Sequence, residues 1–278
     1  MEIGFLTAPF RQEGLEKVLS FAAENGFPRV EILSVPGAGH LVPEEVLSDG
    51  GQKLKELFSQ KKVYPSSYAC YANVADADPV RRELTRRHLK NLILAAEATG
   101  VEVVCTIAGL PLAGKSKMEM IEEELAPYFQ ELTSFASQHR VKIALENWFA
   151  TNIQHLEHWK RLFQLVPAAN FGLNFDPSHL VHQGIDYLAA VEEFADRIFH
   201  THAKDCDINE ALLRRIGNKE NDWWRYVIPG RGVIAWGQYI SRLRRAGYNG
   251  VLSIEHEDGS VGRGEGFLLG KKYLAQFI

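Results

Sequence analysis

Cysteine is scarce in this chain of 278 residues: Cys70, Cys105 and Cys206 stand far apart, with no C-x-x-C pair among them. That pattern excludes a disulfide framework and fits a reducing cytoplasm. Long apolar runs are also missing, none approaching the ~18 residues of a membrane span. The opening stretch, MEIGFLTAPFRQEG, lacks the basic and apolar segments of a secretory signal and reads as a first strand entering a loop. Positive charge is not in excess either. With 31 Lys and Arg against 35 Asp and Glu, the net charge of −4 offers no basic stripe to a phosphate backbone, so neither nucleic acid nor membrane is an expected partner. The group Arg81, Arg82, Arg86 and Arg87 falls on a predicted helix and reads as its solvated face. No Pro/Ser linker, charge block or low-complexity tract divides the chain, so one domain over residues 1–278 is expected.

What is present is an alternation. Hydrophobic residues make up 46% of the chain and charged residues 24%, enough apolar area for a substantial core, which sets disorder aside. Short apolar runs recur between longer amphipathic stretches, the pattern of strand–helix units around a parallel sheet. The predicted strands are Ile3–Thr7, Arg29–Leu33, Val63–Ala69, Val101–Ile107, Lys142–Glu146, Phe171–Asp176, Ile198–His202 and Val251–Glu255. Helices are predicted near Glu13–Asn25, Pro43–Gln60, Pro79–Thr99, Lys117–His139, Gln154–Leu165, Tyr187–Phe194, Trp236–Ala246 and Phe267–Phe277. Gly26, Gly100 and Gly247 sit just past helix ends, where a left-handed cap favours glycine, and Pro43 and Pro79 suit first turns. The expected fold class is α/β, a single (β/α)8 barrel, a type that needs about 250 residues. One irregular stretch, Cys206–Ile228, is inserted after the seventh strand, ahead of the turn Pro229-Gly230-Arg231-Gly232. It is expected to form a long loop or short helices, serving as a substrate wall, a lid or a subunit interface.

Four predicted strands end on a group that can ligate a metal: Glu146 in IALENW, Asp176 in FGLNFD, His202 in FHTHAKD and Glu255 in LSIEHED. The runs are apolar throughout, as in strands buried on both faces, so a charge at the exit must be compensated, and a shared divalent cation does so for all four. Taken singly, each acid is as readily a cap, a loop anchor or an ion-pair partner, and a lone histidine is by default one satisfied in the core. His200 is an alternative to His202 for that bland role, or another pocket group. Four such exits at one face favour the joint reading. Three carboxylates and one imidazole make a hard, mostly oxygen site suited to Mn²⁺, with Mg²⁺, Co²⁺ or Zn²⁺ as alternatives. A divalent ion there polarises a carbonyl, and Glu146 and Glu255 can take and return the proton on the adjacent carbon. Trp148, beside Glu146, is expected at the pocket border, whereas Trp223, Trp224 and Trp236 are either sugar-stacking platforms or core anchors. Gly262-Arg263-Gly264-Glu265-Gly266 is a loose glycine cluster, either a phosphate cradle or a plain loop.

The motifs LENW, NFDPSH, HTHAKD, PGRGV followed by tryptophan, and GYNGVLSIEHED resemble the xylose isomerase-like sugar isomerase/epimerase superfamily, which includes D-tagatose 3-epimerase and inosose dehydratase. The resemblance covers nearly the whole chain and is strongest from Val141 to Asp258. It implies a TIM barrel holding one divalent ion on Glu146, Asp176, His202 and Glu255, with Glu146 and Glu255 as the acid/base pair. It also implies that His179, three residues beyond the aspartate, binds substrate, the alternative being a cap or packing histidine. The chain departs from the epimerases in two places. Its insertion stands where they carry a short segment with an arginine before the Pro-Gly turn, which makes Arg225 the counterpart of that arginine. Its last strand ends Glu255-His256-Glu257-Asp258 rather than in a short Glu-Pro, which makes Lys204 and His256 pocket candidates, against a solvated lysine and a histidine behind the ligands.

The expected activity is therefore that of a divalent-metal-dependent isomerase or epimerase, transferring a proton next to the carbonyl of a ketose, keto-sugar or polyol derivative. The expected partner is that small molecule, with a homo-oligomer left open. A lyase or dehydratase acting on an inosose or a 3-keto-glycoside needs the same ligands. An endonuclease IV-like nuclease shares the barrel but needs more His and acidic ligands, and here the first four predicted strands end in Thr7, Leu33, Ala69 and Ile107. A non-catalytic sugar-binding barrel would bind without exchanging the proton on the α-carbon.

Overall fold

The computed structural model describes residues 1–278. Its eight long-range parallel strands are β1 (Glu2–Leu6), β2 (Arg29–Val35), β3 (Tyr64–Cys70), β4 (Val103–Ile107), β5 (Lys142–Glu146), β6 (Phe171–Phe175), β7 (Ile198–Ala203) and β8 (Val251–Ile254). Each pairs with its neighbours in chain order, and β1 pairs with both β2 and β8, so the sheet closes into a barrel with no free edge. The outer strand faces carry Val30, Ile32, Val104, Ile143, Leu145 and Leu173, which join the helices in one apolar cluster of 60 buried residues. A separate cluster of five, Leu6, Ala69, Val103, Cys105 and Ala144, fills part of the opposite, inner face. No helix is long and apolar enough to cross a membrane.

Most predicted elements are present with ends shifted by one or two residues, and three helices differ for local reasons. The single helix expected over Pro43–Gln60 is two, Pro43–Ser48 and Gln52–Lys61. Between them Gly50 and Gly51 take φ of 66° and 76°, and the Asp49 carboxylate accepts from the Gly51 amide, a turn that helical backbone cannot make. The helix expected over Lys117–His139 is continuous to Gln138, but its Met120–Leu125 turn widens to π geometry just before Pro127, whose ring supplies no N–H to the ladder. The last helix begins at Arg263 rather than Phe267. The glycine cluster is thus the start of that helix, and a Cβ on Gly266 would lie 2.2 Å from His256 Nε2, so packing against that imidazole accounts for glycine there.

The insertion is not simply a loop or helices. Strand Asp205–Ile208 pairs antiparallel with Trp224–Val227 to form a ribbon, and helix Glu210–Ile216 lies in the connection between them. Buried Asp205 fixes the returning chain: its carboxylate accepts from the Gly230 amide at 2.9 Å, the Ile234 amide at 3.1 Å and Trp236 Nε1 at 2.8 Å. A Cβ on Gly232 would fall 2.3 Å from Asp205 Oδ1, so the aspartate of HTHAKD and the PGRG turn form one device that aims the ribbon.

Candidate metal centre

Strand side chains alternate, so residues two apart share a face. From β7 this turns His200, His202 and then Lys204 toward the barrel axis; from β8 it turns Ser253, Glu255 and then Glu257 the same way. Asn174 lies within β6 and Asp176 just beyond it, and Glu146 closes β5. One ligand atom each from Glu146, Asp176, His202 and Glu255 meets the others within 4.8 Å. His202 Nδ1 lies 3.1 Å from Glu255 Oε2, 3.5 Å from Glu146 Oε1 and 3.8 Å from Asp176 Oδ2. The motif residue Asn147 clamps the aspartate between strands, accepting from its amide at 2.7 Å and donating to its carbonyl at 2.8 Å.

These four residues fit a divalent cation. Asp176 and His202 are fully buried, and Asp176 Oδ2 and His202 Nδ1 make no hydrogen bond, lying only at ion-pair distance from Lys204 Nζ (3.3 Å) and Glu255 Oε2 (3.1 Å), an arrangement that leaves both atoms available to a shared cation. The donor set is three carboxylates and one imidazole, a hard, mostly oxygen site suited to a divalent ion. Burial alone would raise the carboxylate pKa values, but the Lys204 ammonium and the hydrogen-bonding imidazoles of His179 and His202 reverse the effect, and Glu146, Asp176 and Glu255 are all held below the usual carboxylate range. All three are anionic at neutral pH, the form a ligand or a base requires.

A layer deeper, Glu31, Cys105 and His200 form a second group of metal-ligating types, also within 4.8 Å. It differs in being satisfied. The fully buried Glu31 carboxylate accepts from the Tyr71 hydroxyl, from Ser253 Oγ at 2.7 Å and from His202 Nε2 at 3.1 Å. His200 bonds Asn174 Oδ1 at 2.9 Å and Ser66 Oγ at 3.0 Å, and burial keeps the Cys105 thiol protonated. Glu31 accepts from His202 Nε2 and so orients the ring with Nδ1 toward the three carboxylates, as the partner behind a metal-bound histidine does. Charge follows the same arrangement: burial would raise Glu31, but His202 and His200 bring it down to about 2.

A cavity of about 360 Å³ opens above the centre, with Glu146 and Glu255 at its base. Trp148 borders it, His179 reaches Glu146 Oε1 at 3.1 Å through Nε2, and its Nδ1 meets the Tyr226 hydroxyl at 2.5 Å. Lys204 is buried in the wall, 2.6 Å from Glu255 Oε2 and 3.3 Å from Asp176 Oδ2. Arg225 and His256 are not on this cavity. Arg225 alternates with Trp224 and Tyr226 along the ribbon; those two face inward, and Arg225 faces Asp207 at 3.1 Å, more than half exposed. His256 is likewise out of phase with Glu255 and Glu257, and its ring packs on Phe267. The residues that sequence reasoning passed over are Glu31, Tyr71, Phe149 and Glu257. Burial, opposed by Lys204 and reinforced by Glu255, pushes Glu257 up to about 7. Of the other tryptophans, Trp224 lines the cavity, whereas Trp223 and Trp236 are buried anchors.

The sequence model described as Xylose isomerase-like TIM barrel matches residues 19–276. The chain belongs to that family. It is 30% identical to the uncharacterized protein YfiH of Bacillus subtilis (strain 168), over 93% of each chain. It is 23% identical to an inosose dehydratase of Clostridium tetani (strain Massachusetts / E88), over 63% of each. Among solved structures, the IOLI protein with a bound zinc atom superposes with a TM-score of 0.79 at 20% identity, covering 100% of this chain and 99% of that one. Sugar epimerases are further structural neighbours.

Proposed function

We propose that this protein is a divalent-metal-dependent sugar isomerase or epimerase, moving a proton on the carbon beside the carbonyl of a ketose, keto-sugar or polyol derivative. The observation that carries the reading is the convergence of one ligand atom each from Glu146, Asp176, His202 and Glu255 within 4.8 Å at the base of a cavity, with Asp176 Oδ2 and His202 Nδ1 left without a hydrogen bond. Glu146, Asp176, His202 and Glu255 would hold the ion, with Mn²⁺ favoured over Mg²⁺, Co²⁺ and Zn²⁺ by the donor set. When bound, the ion supplies Lewis-acid polarisation of the substrate carbonyl. The remaining work falls to side chains. Glu146 and Glu255 act as the acid/base pair, both starting as carboxylates on separate strands, so that they reach the substrate from different directions. Lys204 keeps Glu255 ionised and oriented, and His179 does the same for Glu146. Trp148 and Phe149 exclude water from one side of the cavity.

The test is incubation of the metal-reconstituted protein with ketoses, inososes and 3-keto-glycosides in D₂O, followed by NMR. Deuterium uptake at the carbon beside the carbonyl is expected for at least one of them, and no uptake from any would sink the reading. A second reading, a dehydratase, is supported by the inosose dehydratase relatives and by the Tyr226 hydroxyl, which is bonded to His179 within the cavity and is a proton source for a leaving hydroxyl. It predicts loss of water from the substrate, giving a product lighter by one water, rather than a rearranged or inverted sugar.

A further inference from the structure

Two features that set this chain apart from the epimerases, the inserted Cys206–Ile228 stretch and the Glu255-His256-Glu257-Asp258 ending of the last strand, meet in space. Ile228, the last residue of the insertion, is buried and donates its amide to Asp258 Oδ2 at 3.3 Å. The Asp258 side chain is itself fully buried, and its other oxygen accepts from the Ser260 amide at 2.9 Å and the Ser260 hydroxyl at 2.5 Å. The guanidiniums of Arg225 and Arg231 stand at 3.6 and 3.8 Å, beyond hydrogen-bond reach, and balance the charge of the carboxylate without fixing its direction. His256, which lies off the cavity, belongs to the same contact. Its Nδ1 accepts from the Asp258 amide at 3.2 Å, its Nε2 faces the Gly262 carbonyl at 3.4 Å, and its ring packs edge-on to Phe267 in the space that Gly266 leaves open. The imidazole thus braces the turn that presents the Asp258 carboxylate.

The contact bears on the site through the residues just before Ile228. Tyr226 and Trp224 line the cavity, and the Tyr226 hydroxyl meets His179 Nδ1 at 2.5 Å, whose Nε2 reaches Glu146 Oε1 at 3.1 Å. At the other side of the ribbon's base, Asp205 holds Gly230 and Ile234, so both ends of the insertion are tied to the segments that leave β7 and β8. The helix Glu210–Ile216 at the far end of the insertion buries none of its residues. Such an arrangement holds the cavity face of the ribbon still and confines motion to the tip.

We propose that Asp258, braced by His256, is a positioning residue that locks the inserted ribbon to the end of β8 and makes the insertion a fixed wall of the cavity rather than a lid. That the wall meets substrate rests on the proton-transfer reading above, whereas the lock does not. The experiment is amide hydrogen exchange on the metal-loaded full chain, wild type beside Asp258→Ala. In the wild type the Ile228 amide exchanges within about tenfold of the β7 amides and at least about 10²-fold more slowly than the helix Glu210–Ile216. In Asp258→Ala the segment Tyr226–Ile228 exchanges at least about tenfold faster, while β5 and β6 keep their rates and metal affinity, read with a chelating dye, stays within about twofold. On a ketone that exchanges the proton beside its carbonyl, the variant raises KM by about tenfold or more and lowers kcat by less than about threefold, a split that loss of folded protein does not produce. A wild-type Ile228 amide as fast as the tip helix overturns the proposal, and it decides the matter even where the variant fails to fold. Unchanged ribbon exchange in Asp258→Ala, an increase spread evenly over all strands, or an unchanged KM overturns it as well. Failure of the two readings is distinguishable: if no ketone exchanges, the isomerase falls and amide exchange alone judges the lock, whereas a mobile ribbon beside an exchanging ketone sinks the lock and spares the isomerase.

Discussion

Two groups of metal-ligating side chains lie one above the other on the barrel axis, and they differ in what their atoms touch. The lower group, Glu31, Cys105 and His200, is hydrogen-bonded or protonated throughout. The upper group, Glu146, Asp176, His202 and Glu255, leaves Asp176 Oδ2 and His202 Nδ1 without partners. Both have residue types that bind metals and both are compact. What sets the upper group apart is that two of its converging ligand atoms make no hydrogen bond and lie only at ion-pair distance from Lys204 and Glu255, at the base of a cavity, whereas the lower group is hydrogen-bonded within the core. The lower group serves the upper one: Glu31 orients His202, and Ser253 and Tyr71 orient Glu31.

The largest expected effect comes from removing the charge of the upper group's two glutamates. Glu146→Gln and Glu255→Gln each lower the rate of deuterium exchange into substrate by about 10² or more, the usual contribution of a general base, while the far-ultraviolet circular dichroism stays native. Full exchange in both variants would move the base elsewhere. Next comes metal content. The protein takes up one divalent ion per chain by elemental analysis after reconstitution, and Asp176→Asn takes up none. Free ion at about a hundred times its Kd stabilises the native state by about 2.7 kcal/mol, and chelation removes that increment. A second tightly bound ion, retained in Asp176→Asn, would mean the lower group is a site after all.

Glu31→Gln probes the connection between the layers. Tyr71 bonds Glu31 Oε1 while Ser253 Oγ and His202 Nε2 bond Oε2, so an amide nitrogen in place of either oxygen meets one donor or two, and the network that anchors the imidazole is broken. Metal affinity, read by competition with a chelating dye and independently of any activity, falls by about 10- to 100-fold. Glu31→Asp keeps the charge and recovers part of the loss if orientation of His202 is the cause. A variant that folds and binds metal as tightly as the parent would reduce Glu31 to a core residue.

The upper group was legible in the sequence because each of its members ends an apolar run, where a charge stands out. The barrel was legible for a related reason: strands buried on both faces are short and continuously apolar, and eight of them fit the length. Glu31 was not, since it sits inside RVEILSV, where the run reads past it to Leu33. Its signal was present all the same, as a lone carboxylate in the middle of a buried strand must face inward to a partner. Glu257 follows from Glu255 by strand alternation, but His256 drew attention by its chemistry although it is one residue out of phase. The ribbon could not be read locally. Its strands of four residues are specified by the Asp205 contacts with Gly230, Ile234 and Trp236, which join segments the sequence keeps apart.

The smallest effect sharpens the same distinction at the cavity mouth. Arg225 has the chemistry of a substrate clamp, and its neighbours Trp224 and Tyr226 line the cavity. Its own side chain is 55% exposed and pairs with Asp207 at 3.1 Å, on the face of the ribbon turned away from them. An exposed pair of this kind contributes about 0.2–1 kcal/mol and is screened further by salt. Arg225→Ala therefore lowers stability in denaturant by no more than about 1 kcal/mol and changes the affinity for a ketone substrate by less than about twofold, whereas Trp224→Ala, one residue away, costs about tenfold. A loss in Arg225→Ala as large as that in Trp224→Ala would show the ribbon turning its other face to the substrate, and the assignment of its inner and outer sides would have to be reversed.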